Sequence, residues 1–353
     1  MLREGIIDAL QGDGSGPRGL ALDLAAAAWG AGAAIHRAHA LWRGPWLPPA
    51  PTISVGALTA GGAGKTPFTL EIVRRLRARG RRPAVLSRGY GGRGRGPHAV
   101  LPDEDPRLWG DEAVMMARAL PGLLVVVDGD RSRGARLALA RGADALILDD
   151  GLQHHPLGRH LDIALLPADR PPASDRLLPA GRLREPLSAL SRAQLLVGYG
   201  GAPEGDGSPG VDVVASFEIR RLKSLWHKED LPMTAIAGAP VGLWTAVARP
   251  QRVRRAVEAL GAEVVWHEAE ADHAPLPAGG IDGLLARCRA AGASLLLLTE
   301  KDAVKLGPPP SMGPPVHVLT GGIAFERGED RLEAALDQAL TGEIVPLRME
   351  RGR

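Results

Sequence analysis

Residues 52–67 read TISVGALTAGGAGKTP, and this stretch decides the fold of the chain. Its first five residues, 52–56, are apolar and largely β-branched, which predicts a short buried strand. Pro67 suits the first turn of a helix, and apolar residues then recur near helical spacing until Gly80. A strand, a glycine-rich turn and a helix direct backbone N–H groups and a helix N-terminus at one point, so the stretch predicts a phosphate-binding loop.

The lysine of this loop stands out in an arginine-rich chain. Lys65 is the single lysine in residues 1–222, and the chain has only five lysines among 43 basic residues. A planar guanidinium cannot easily replace a slim ammonium that reaches into a phosphate cradle. We therefore predict that Lys65 contacts the β- and γ-phosphates of a nucleotide and that Thr66 ligates Mg²⁺. The predicted nucleotide site also includes Thr59, Gly61, Gly62, Ala63 and Gly64.

Two features of the loop qualify this interpretation. The strict phosphate-loop pattern begins with Gly where this chain has Thr59. The loop also lacks the early second lysine of partition-type and metal-chaperone ATPases, which makes those classes poorer candidates. The alternative is a flexible glycine-rich turn whose lysine faces solvent.

The remaining pattern predicts an α/β fold, a P-loop NTPase-like doubly wound parallel sheet followed by a second, smaller α/β domain. In the first part we expect strands at 84–87, 123–127, 145–148, 162–166 and 194–197, with helices at 111–119 and 131–141. In the second part we expect strands at 243–247, 262–266, 294–298 and 316–319, with helices at 250–260, 281–291 and 331–340.

Breaks in composition divide the chain into four regions. We assign residues 1–50 to an N-terminal helical region and residues 51–210 to the phosphate-loop core, which ends in a Gly/Pro-rich loop. Two extended segments, 211–220 and 233–237, predict a two-stranded linker over 211–240. Residues 241–345 form the predicted C-terminal α/β domain, and the tail 346–353 is expected to be loose.

Composition excludes several classes of function. A net charge of +3 gives a weak footprint for nucleic acid, so no nucleic-acid partner is expected. Cys288 stands alone, which excludes a disulfide framework and a cysteine-based metal site and favours a reducing compartment. Residues 1–15 carry mixed polarity and no secretory signal.

Nine arginines crowd residues 74–95, and they form either a solvated helix face or a surface that attracts an anionic substrate or lipid.

Residues 19–42 form a predicted apolar helix that contains Asp23 and ends in basic residues and Trp42. The charge and the alanine-rich centre argue against a helix that spans a bilayer. Two interpretations stay open from the residues alone. One is an interfacial helix with tryptophan at the level of the lipid headgroups, and the other is an ordinary helix packed on the domain.

Several polar residues follow predicted strand ends or begin helices. Asp149 and Asp150 end the run 146–150, which resembles a Walker B element, although a strand-end Asp often only caps the next turn. Gln153 and His154 follow and could orient phosphate or a substrate hydroxyl, or serve the turn. Four further residues are candidates, with a helix N-cap and a surface loop as the alternatives: Asp111, Glu112, Asp272 and His273.

Taken together, these segments resemble the tetraacyldisaccharide 4′-kinase family, the lipid A 4′-kinases of Gram-negative bacteria. The similarity covers about residues 19 to 340, in family order, and Thr59 is the residue that this family has. The matching segments are the loop 58–67, SRGYGG at 87–92, GDE at 110–112, DDGLQH at 149–154, LLPAGRLREP at 177–186, DH at 272–273 and TEKDAVKL at 299–306.

The resemblance implies that ATP, with Mg²⁺, phosphorylates the 4′-hydroxyl of a tetraacylated glucosamine disaccharide phosphate. In the family, the residues that match Asp111 and His273 act as a pair on the acceptor hydroxyl, and those that match Asp149 and Asp150 serve the metal. We further expect that the substrate contacts Arg88, Glu112, Gln153 and His154. The resemblance also implies a peripheral protein at the cytoplasmic face of the inner membrane, with the membrane surface as a partner, and we expect a monomer.

The chain departs from the family pattern at several positions that leave the phosphate ligands and the Asp–His pair in place. Ala57 and Ala63 replace the usual Asn and Thr, which leaves the affinity for ATP open. Two rival functions also remain. One is a P-loop kinase of a soluble anionic sugar, and the other is a nucleotide-switched binding GTPase or ATPase, against which the single cysteine and the absent second loop lysine argue.

Overall fold

The structure is a computed structural model that describes residues 17–169, 172–203, 208–226, 229–307 and 313–347. The N-terminal segment 1–15 and most of the tail 346–353, for which the sequence made predictions, lie outside these residues. The first half of the chain contains α1 (Pro17–Trp42), β1 (Thr52–Gly56), α2 (Lys65–Ala78), β2 (Pro83–Ser87), β3 (His98–Val100), α3 (Pro106–Trp109), α4 (Asp111–Ala119), β4 (Leu124–Val127), α5 (Arg131–Ala140), β5 (Ala145–Asp149), β6 (Leu161–Pro167) and β7 (Leu195–Tyr199).

The second half begins with a long strand and alternates again. It contains β8 (Val213–Ser224), a 3₁₀ helix (Met233–Ile236), β9 (Pro240–Thr245), α6 (Pro250–Ala259), β10 (Glu263–Ala269), α7 (Gly280–Ala290), β11 (Leu295–Thr299), α8 (Glu300–Ala303), β12 (Val316–Arg327) and α9 (Glu329–Leu340). Two further 3₁₀ helices, Pro172–Ser174 and Leu187–Arg192, lie between β6 and β7.

The described strands form one sheet in the order β10-β9-β11-β12-β8-β7-β6-β1-β5-β2-β4-β3. All neighbours pair in parallel except the edge pair β3–β4 and the central pair β8–β12, which are antiparallel. The predicted parallel α/β architecture is therefore confirmed. The antiparallel pair joins the two parallel halves into a single sheet.

Helices cover both faces of the first half of the sheet, as a doubly wound fold requires. Alternate residues of one strand point to opposite sides, so Val85 packs with α2 and α4 while Leu86 packs with α5. Strands β1, β2 and β5 are buried over their whole length, which explains why they are largely apolar runs in the sequence. This packing holds the carboxyl ends of β1, β2, β4 and β5 side by side.

The linker differs from the predicted one. Residues 211–220 do contribute a strand, β8, but Met233–Ile236 is a 3₁₀ helix rather than its extended partner. The partner of β8 is β12, which continues past Leu319 to Arg327. The strand bulges at Gly321, where a Cβ atom would lie 1.9 Å from the carbonyl oxygen of Glu218.

The last helix, α9, returns to the first half of the chain although the sequence assigned it to the second domain. Leu332 and Leu336 are fully buried in the core beside α2. Arg79, the C-cap of α2, contacts Asp337 at 2.7 Å, and Arg75 of α2 contacts Glu329 at 2.6 Å. Part of the arginine-rich segment is therefore paired with acidic residues of α9.

The N-terminal helix lies on the surface next to the segment 177–186. The indole nitrogen of Trp29 donates a hydrogen bond to the carbonyl oxygen of Arg184 at 3.0 Å, and Asp23 forms an ion pair with Arg176. Along α1 several large apolar side chains remain exposed: Leu20, Leu24, Trp29, Ile35, Leu41 and Trp42. Among the described residues, no helix combines the length and the apolar character needed to cross a membrane.

Candidate active site

The glycine-rich loop adopts the conformation that an anion cradle needs. Gly61, Gly62 and Gly64 have φ of 77°, 50° and 78°, in the left-handed region that favours glycine. No side chain of the described residues caps the N-terminus of α2, which leaves the first amides of the helix available to a ligand. A Cβ atom at Gly64 would lie 2.2 Å from the ring of Tyr199, so this position accepts only glycine.

Thr59 departs from the strict phosphate-loop pattern, which has glycine at this position. It attaches the loop to a neighbouring segment rather than forming part of the turn. Thr59 is buried and forms a β-bridge with Leu183. The next residue, Ala60, donates its backbone N–H to the carbonyl oxygen of Arg182 at 2.9 Å. The loop is therefore tied to the segment 177–186, which also contacts α1.

Asp149 and Asp150 lie beside the loop because β1 and β5 are neighbouring parallel strands. The register pairs Val55 with Asp149. Thr69 donates its hydroxyl to Asp149 at 2.9 Å, while Asp150 contacts Lys65 at 3.6 Å and Arg184 at 2.7 Å. Two carboxylates, an ammonium and a guanidinium thus converge at the carboxyl ends of the strands.

The two aspartates have opposite electrostatic environments. Burial raises the pKa of Asp149 to about 7, and the neighbouring Glu112 and Asp150 add to the rise. Desolvation also raises the pKa of Asp150, but Lys65 and Arg184 outweigh it and lower the value to about 2. Asp150 is therefore ionised at neutral pH, whereas a cation beside Asp149 would favour its ionised form.

The oxygens at this point fit a magnesium ion. The Oδ1 atom of Asp150 is buried and has no hydrogen-bond partner within the described ranges. Thr66 is buried in the first turn of α2, in the same loop as Lys65. Mg²⁺ is usually held by one or two carboxylates together with nucleotide phosphates, which is the donor set that Thr66, Asp149 and Asp150 offer.

Asp111 and His273, far apart in the sequence, come together across the two halves of the sheet. His273 Nδ1 lies 3.4 Å from Asp111 Oδ2. Gly110 is the N-cap of α4 and Asp111 is its first residue, so Asp111 does not cap its own helix. His273 has φ of 64°, unusual for a non-glycine residue, and its ring lies 5.0 Å from that of Tyr90.

The two lysines of α8 and the turn after it surround this pair. Lys301 Nζ lies 2.7 Å from Asp272, 3.0 Å from His273 Nε2 and 3.5 Å from Glu112. Lys305 Nζ lies 3.7 Å from Asp111 and 3.1 Å from Asp302. The sequence had left the roles of both lysines open.

Arg88, Gln153 and His154 line a separate polar cavity of about 270 Å³ together with His36 of α1. Gln153 also donates to the carbonyl oxygen of Ala57 at 3.1 Å and accepts from Arg184 at 3.4 Å, which connects the cavity to Asp150. Burial lowers the pKa of His154 to about 3, so this imidazole is neutral. Glu112, expected with these residues, instead faces Lys301 on the other side of the site.

Sequence reasoning missed Arg131, the first residue of α5. It is 1% exposed, and burial together with Arg88 lowers its pKa to about 10. A cation at a helix N-terminus is disfavoured by the helix dipole, and that anomaly was the available signal. Arg131 lies in the field of Asp149 and Asp150.

A larger cleft of about 490 Å³ opens beside the loop, between the two halves of the molecule. Its walls include residues 62–66 and Tyr199 from the first half and residues 247–249 and Val253 from the second. Arg249, also missed from the sequence, packs against Gly62 and forms an ion pair with Asp169. The cleft leads from the glycine-rich loop towards Glu112, Asp272 and Lys301.

Comparison with known proteins agrees with this geometry. The family model described as Tetraacyldisaccharide-1-P 4′-kinase matches residues 19–341. A tetraacyldisaccharide 4′-kinase of Anaeromyxobacter dehalogenans (strain 2CP-1) is 40% identical over 313 residues, which cover 82% of each chain. That of Syntrophus aciditrophicus is 37% identical over 297 residues, 77% of this chain and 79% of its own.

A solved structure extends the similarity to three dimensions. It is the crystal structure of LpxK from Aquifex aeolicus in complex with ATP, with a TM-score of 0.70 and 27% identity over 96% of this chain and 100% of that one. The match therefore spans both halves of the sheet. By the family model and by these relatives, the chain belongs to the tetraacyldisaccharide-1-P 4′-kinase family.

Proposed function

We propose that this protein transfers the γ-phosphoryl group of ATP to the 4′-hydroxyl of a tetraacylated glucosamine disaccharide 1-phosphate, a step of lipid A biosynthesis. The observation that carries the proposal is the placement of Asp111 and His273 opposite a glycine-rich loop that holds Lys65. A phosphoryl-transfer enzyme needs a cradle for the nucleotide and a proton acceptor for the attacking hydroxyl, and little other chemistry from the protein.

The nucleotide half of the proposed site consists of the loop amides, Lys65 and the strand-end aspartates. The amides of residues 61–66 and Lys65 hold the phosphates. Thr66, Asp149 and Asp150 hold Mg²⁺, which when bound neutralises charge on the phosphates. Arg184 keeps Asp150 in place through its 2.7 Å contact.

The acceptor half consists of Asp111 and His273. Asp111 accepts the proton of the attacking hydroxyl, and His273 orients the carboxylate. A positioned general base of this kind accelerates a reaction by about 10²- to 10⁴-fold. The polar cavity of Arg88, Gln153 and His154 takes a polar part of the substrate, with Arg88 as its cation.

We propose a peripheral location at the cytoplasmic face of the inner membrane, and the exposed apolar side chains of α1 support its contact with a lipid surface. Leu24 is 65% exposed, Ile35 is 70% exposed and Trp42 is 81% exposed, and a helix of this kind lies in the lipid interface rather than across it. Because α1 also borders the cavity through His36, the acyl chains of a bound substrate and the lipid surface meet the same helix.

One assay tests the function and separates it from its rivals. Labelled ATP is incubated with the acylated disaccharide phosphate, with its deacylated counterpart, and with no acceptor, each with and without dispersed lipid. We expect label at the 4′-position of the acylated acceptor only. Equal transfer to the deacylated acceptor would favour a soluble-sugar kinase, and nucleotide hydrolysis without transfer would favour a nucleotide switch.

The location has its own test. We expect the triple variant Leu24→Ser, Ile35→Ser, Trp42→Ser to lose co-sedimentation with anionic vesicles, because burial of apolar surface is the main attraction. The matched control replaces exposed residues elsewhere, Leu101→Ser and Leu108→Ser. Equal vesicle binding by the triple variant and the wild type would contradict the role of α1.

A further inference from the structure

Arg249 reaches the glycine-rich loop from the other half of the sheet. It is the N-cap of α6 and lies next to Gly62, where a Cβ atom would be 2.9 Å from the Cγ and Nε atoms of the arginine. The preceding residue, Ala248, approaches Gly61, with its Cβ atom 3.6 Å from the position of a Cβ there. The arginine therefore packs on the cradle that receives the nucleotide phosphates, although the two belong to different halves of the sheet.

The charge of Arg249 is incompletely neutralised. Its side chain is 13% exposed and forms an ion pair with Asp169, but Arg252 Nη2 also lies 3.1 Å from the same carboxylate. Burial lowers the pKa of Arg249, and the neighbouring Arg252 adds to this, although Asp169 opposes both. One carboxylate thus faces two guanidinium groups, and an additional anion would stabilise the pair.

One nitrogen of the guanidinium has no acceptor. The Nη2 atom of Arg249 is buried, and within the part of the chain that the structure describes it has no hydrogen-bond partner. A buried donor without a partner is unfavourable, and a charged donor more so. A phosphate oxygen in the adjacent cradle would supply the acceptor, and such a charge-assisted contact is among the strong hydrogen bonds of proteins.

The backbone of the same segment, residues 246–249, is attached to the acceptor half of the site. The carbonyl oxygen of Ala246 accepts a hydrogen bond from the N–H of His273 at 3.2 Å, and its own N–H donates to Asp302 at 3.2 Å. The segment thus contacts the acceptor half at one end and the cradle at the other. The group that passes from the cradle to the acceptor half is the γ-phosphoryl group.

We propose that Arg249 contacts the γ-phosphate of ATP and stabilises its charge during transfer. The inference rests on the kinase function proposed above. In the transfer, the bond from the γ-phosphorus to the oxygen it shares with the β-phosphate breaks, and a bond to the 4′-oxygen forms. The hydroxyl proton goes to Asp111, whereas Arg249 donates hydrogen bonds and keeps its charge. Arginines that act in this way in other nucleotide-dependent enzymes raise kcat by about 10³- to 10⁵-fold.

The shape of the guanidinium suits a residue that has two partners. A guanidinium presents several donors in a planar fork, so one nitrogen can stay on Asp169 while another bonds a phosphate oxygen. The ammonium of a lysine is a single point and cannot divide its donors between two separated acceptors in this way. The arginine is thus held by Asp169 before the nucleotide binds.

The first test compares two nucleotides that differ in the terminal phosphate. A non-hydrolysable ATP analogue and ADP, each with Mg²⁺, are titrated calorimetrically into the full-length wild type and Arg249→Ala. We expect the Kd of the analogue to rise about tenfold in the variant, because a hydrogen bond between charged groups is lost, while the Kd of ADP stays unchanged. Equal losses for both nucleotides, or no loss for the analogue, would overturn the inference.

The second test measures turnover and separates a phosphate contact from a structural tie between the two halves of the sheet. We expect kcat of Arg249→Ala to fall by about 10²- to 10³-fold, the usual effect of removing one donor to developing charge. A structural tie would need Asp169 as much as Arg249, so equal losses of kcat in Asp169→Asn and Arg249→Ala would overturn the inference. We expect Asp169→Asn to lose far less. Arg255→Ala, at an exposed position of α6, is the control and should match the wild type.

The outcomes distinguish this inference from the proposed function. If the wild type transfers no label to the acylated disaccharide, the proposed function fails, and the comparison of the ATP analogue with ADP still decides whether Arg249 contacts the terminal phosphate. If the wild type transfers label and Arg249→Ala does so equally fast, the inference fails and the function stands. If thermal unfolding shows that Arg249→Ala does not fold, Arg249→Gln replaces it, because glutamine keeps much of the side chain and removes the charge.

Discussion

The two halves of the site are built in different ways. The nucleotide half, around Lys65, Asp149 and Asp150, comes from the ends of two adjacent parallel strands and one tight turn within the first half of the chain. The acceptor half joins Asp111 of α4 to His273 of a loop in the second half, and lysines from α8 and the turn after it hold the two together. Backbone geometry within one part of the chain forms the nucleotide half. Charged side chains from both halves of the sheet form the acceptor half.

This difference predicts which substitutions should affect only one half of the site. Backbone conformation fixes the cradle, so substitutions that disturb φ at glycine should weaken nucleotide binding. Charge pairs fix the acceptor half, so substitutions that remove a charge should lower turnover and leave nucleotide binding intact. Variants that violate this division would show that the two halves depend on each other.

The largest effect is expected from Asp111→Asn, which removes the proton acceptor and keeps its shape. We expect kcat to fall by about 10²- to 10⁴-fold, the usual contribution of a positioned general base. ATP binding should not change, because Asp111 belongs to the acceptor half. Turnover with labelled ATP and calorimetric titration with an ATP analogue measure the two quantities.

The matched control for this variant is Asp282→Asn, at an exposed position in the first turn of α7. It makes the same chemical change far from the site and should leave turnover unaltered. Turnover by Asp111→Asn close to that of the wild type would exclude Asp111 as the base. A large loss of ATP affinity in this variant would show that the nucleotide half depends on the acceptor half.

A smaller effect is expected from Gly64→Ala, which tests the nucleotide half. A non-glycine residue at φ of 78° costs about 1–2 kcal/mol, and the new methyl group also meets the buried ring of Tyr199. Since 1.4 kcal/mol corresponds to about tenfold in affinity, we expect the Kd for ATP to rise at least about tenfold. Titration with nucleotide measures it.

Gly62→Ala is the companion variant for this comparison. It has a similar backbone conformation, but the nearest atoms to its new methyl group belong to the side chain of Arg249, which can move. We therefore expect a weaker loss of ATP affinity than in Gly64→Ala. If the two variants lose equal affinity, the contact with Tyr199 contributes nothing and backbone strain alone explains the effect.

The same division explains what the sequence could and could not predict. The cradle, Asp149 and Asp150 were predictable from residues, because strand, turn and helix are consecutive and the acidic pair follows an apolar run. His273 was different, since spacing alone made it an ordinary loop histidine, and its partnership with Asp111 came from resemblance to a family. Lys301 and Arg249 had no local signal, because their partners lie on elements brought close only by the folded sheet.

The prediction of the fold from the sequence was limited in a similar way. Strands buried on both faces, such as β1 and β5, are continuous apolar runs and were found. The extension of β12 beyond Leu319 contains Gly321 and Gly322, which are typical of turns, and its partner β8 is distant in sequence. Pairing between distant strands overrides local preference, so the joint between the two parallel halves could not be predicted.

The smallest effect is expected from Glu333→Gln, which asks whether the nucleotide half depends on the end of the chain. Glu333 of α9 forms ion pairs with Arg75 of α2 and with Arg79, the C-cap of that helix, which carries the loop at its N-terminus. These groups are partly exposed, and such pairs contribute about 0.2–1 kcal/mol, less at high salt. We therefore expect the unfolding temperature to fall by at most about 2 °C, a difference that shrinks as salt is added, with kcat and ATP affinity unchanged. Glu326→Gln, an exposed position on β12, is the control. A drop in ATP affinity would mean that α9 sets the position of α2, and the cradle would then depend on long-range charge pairs as the acceptor half does.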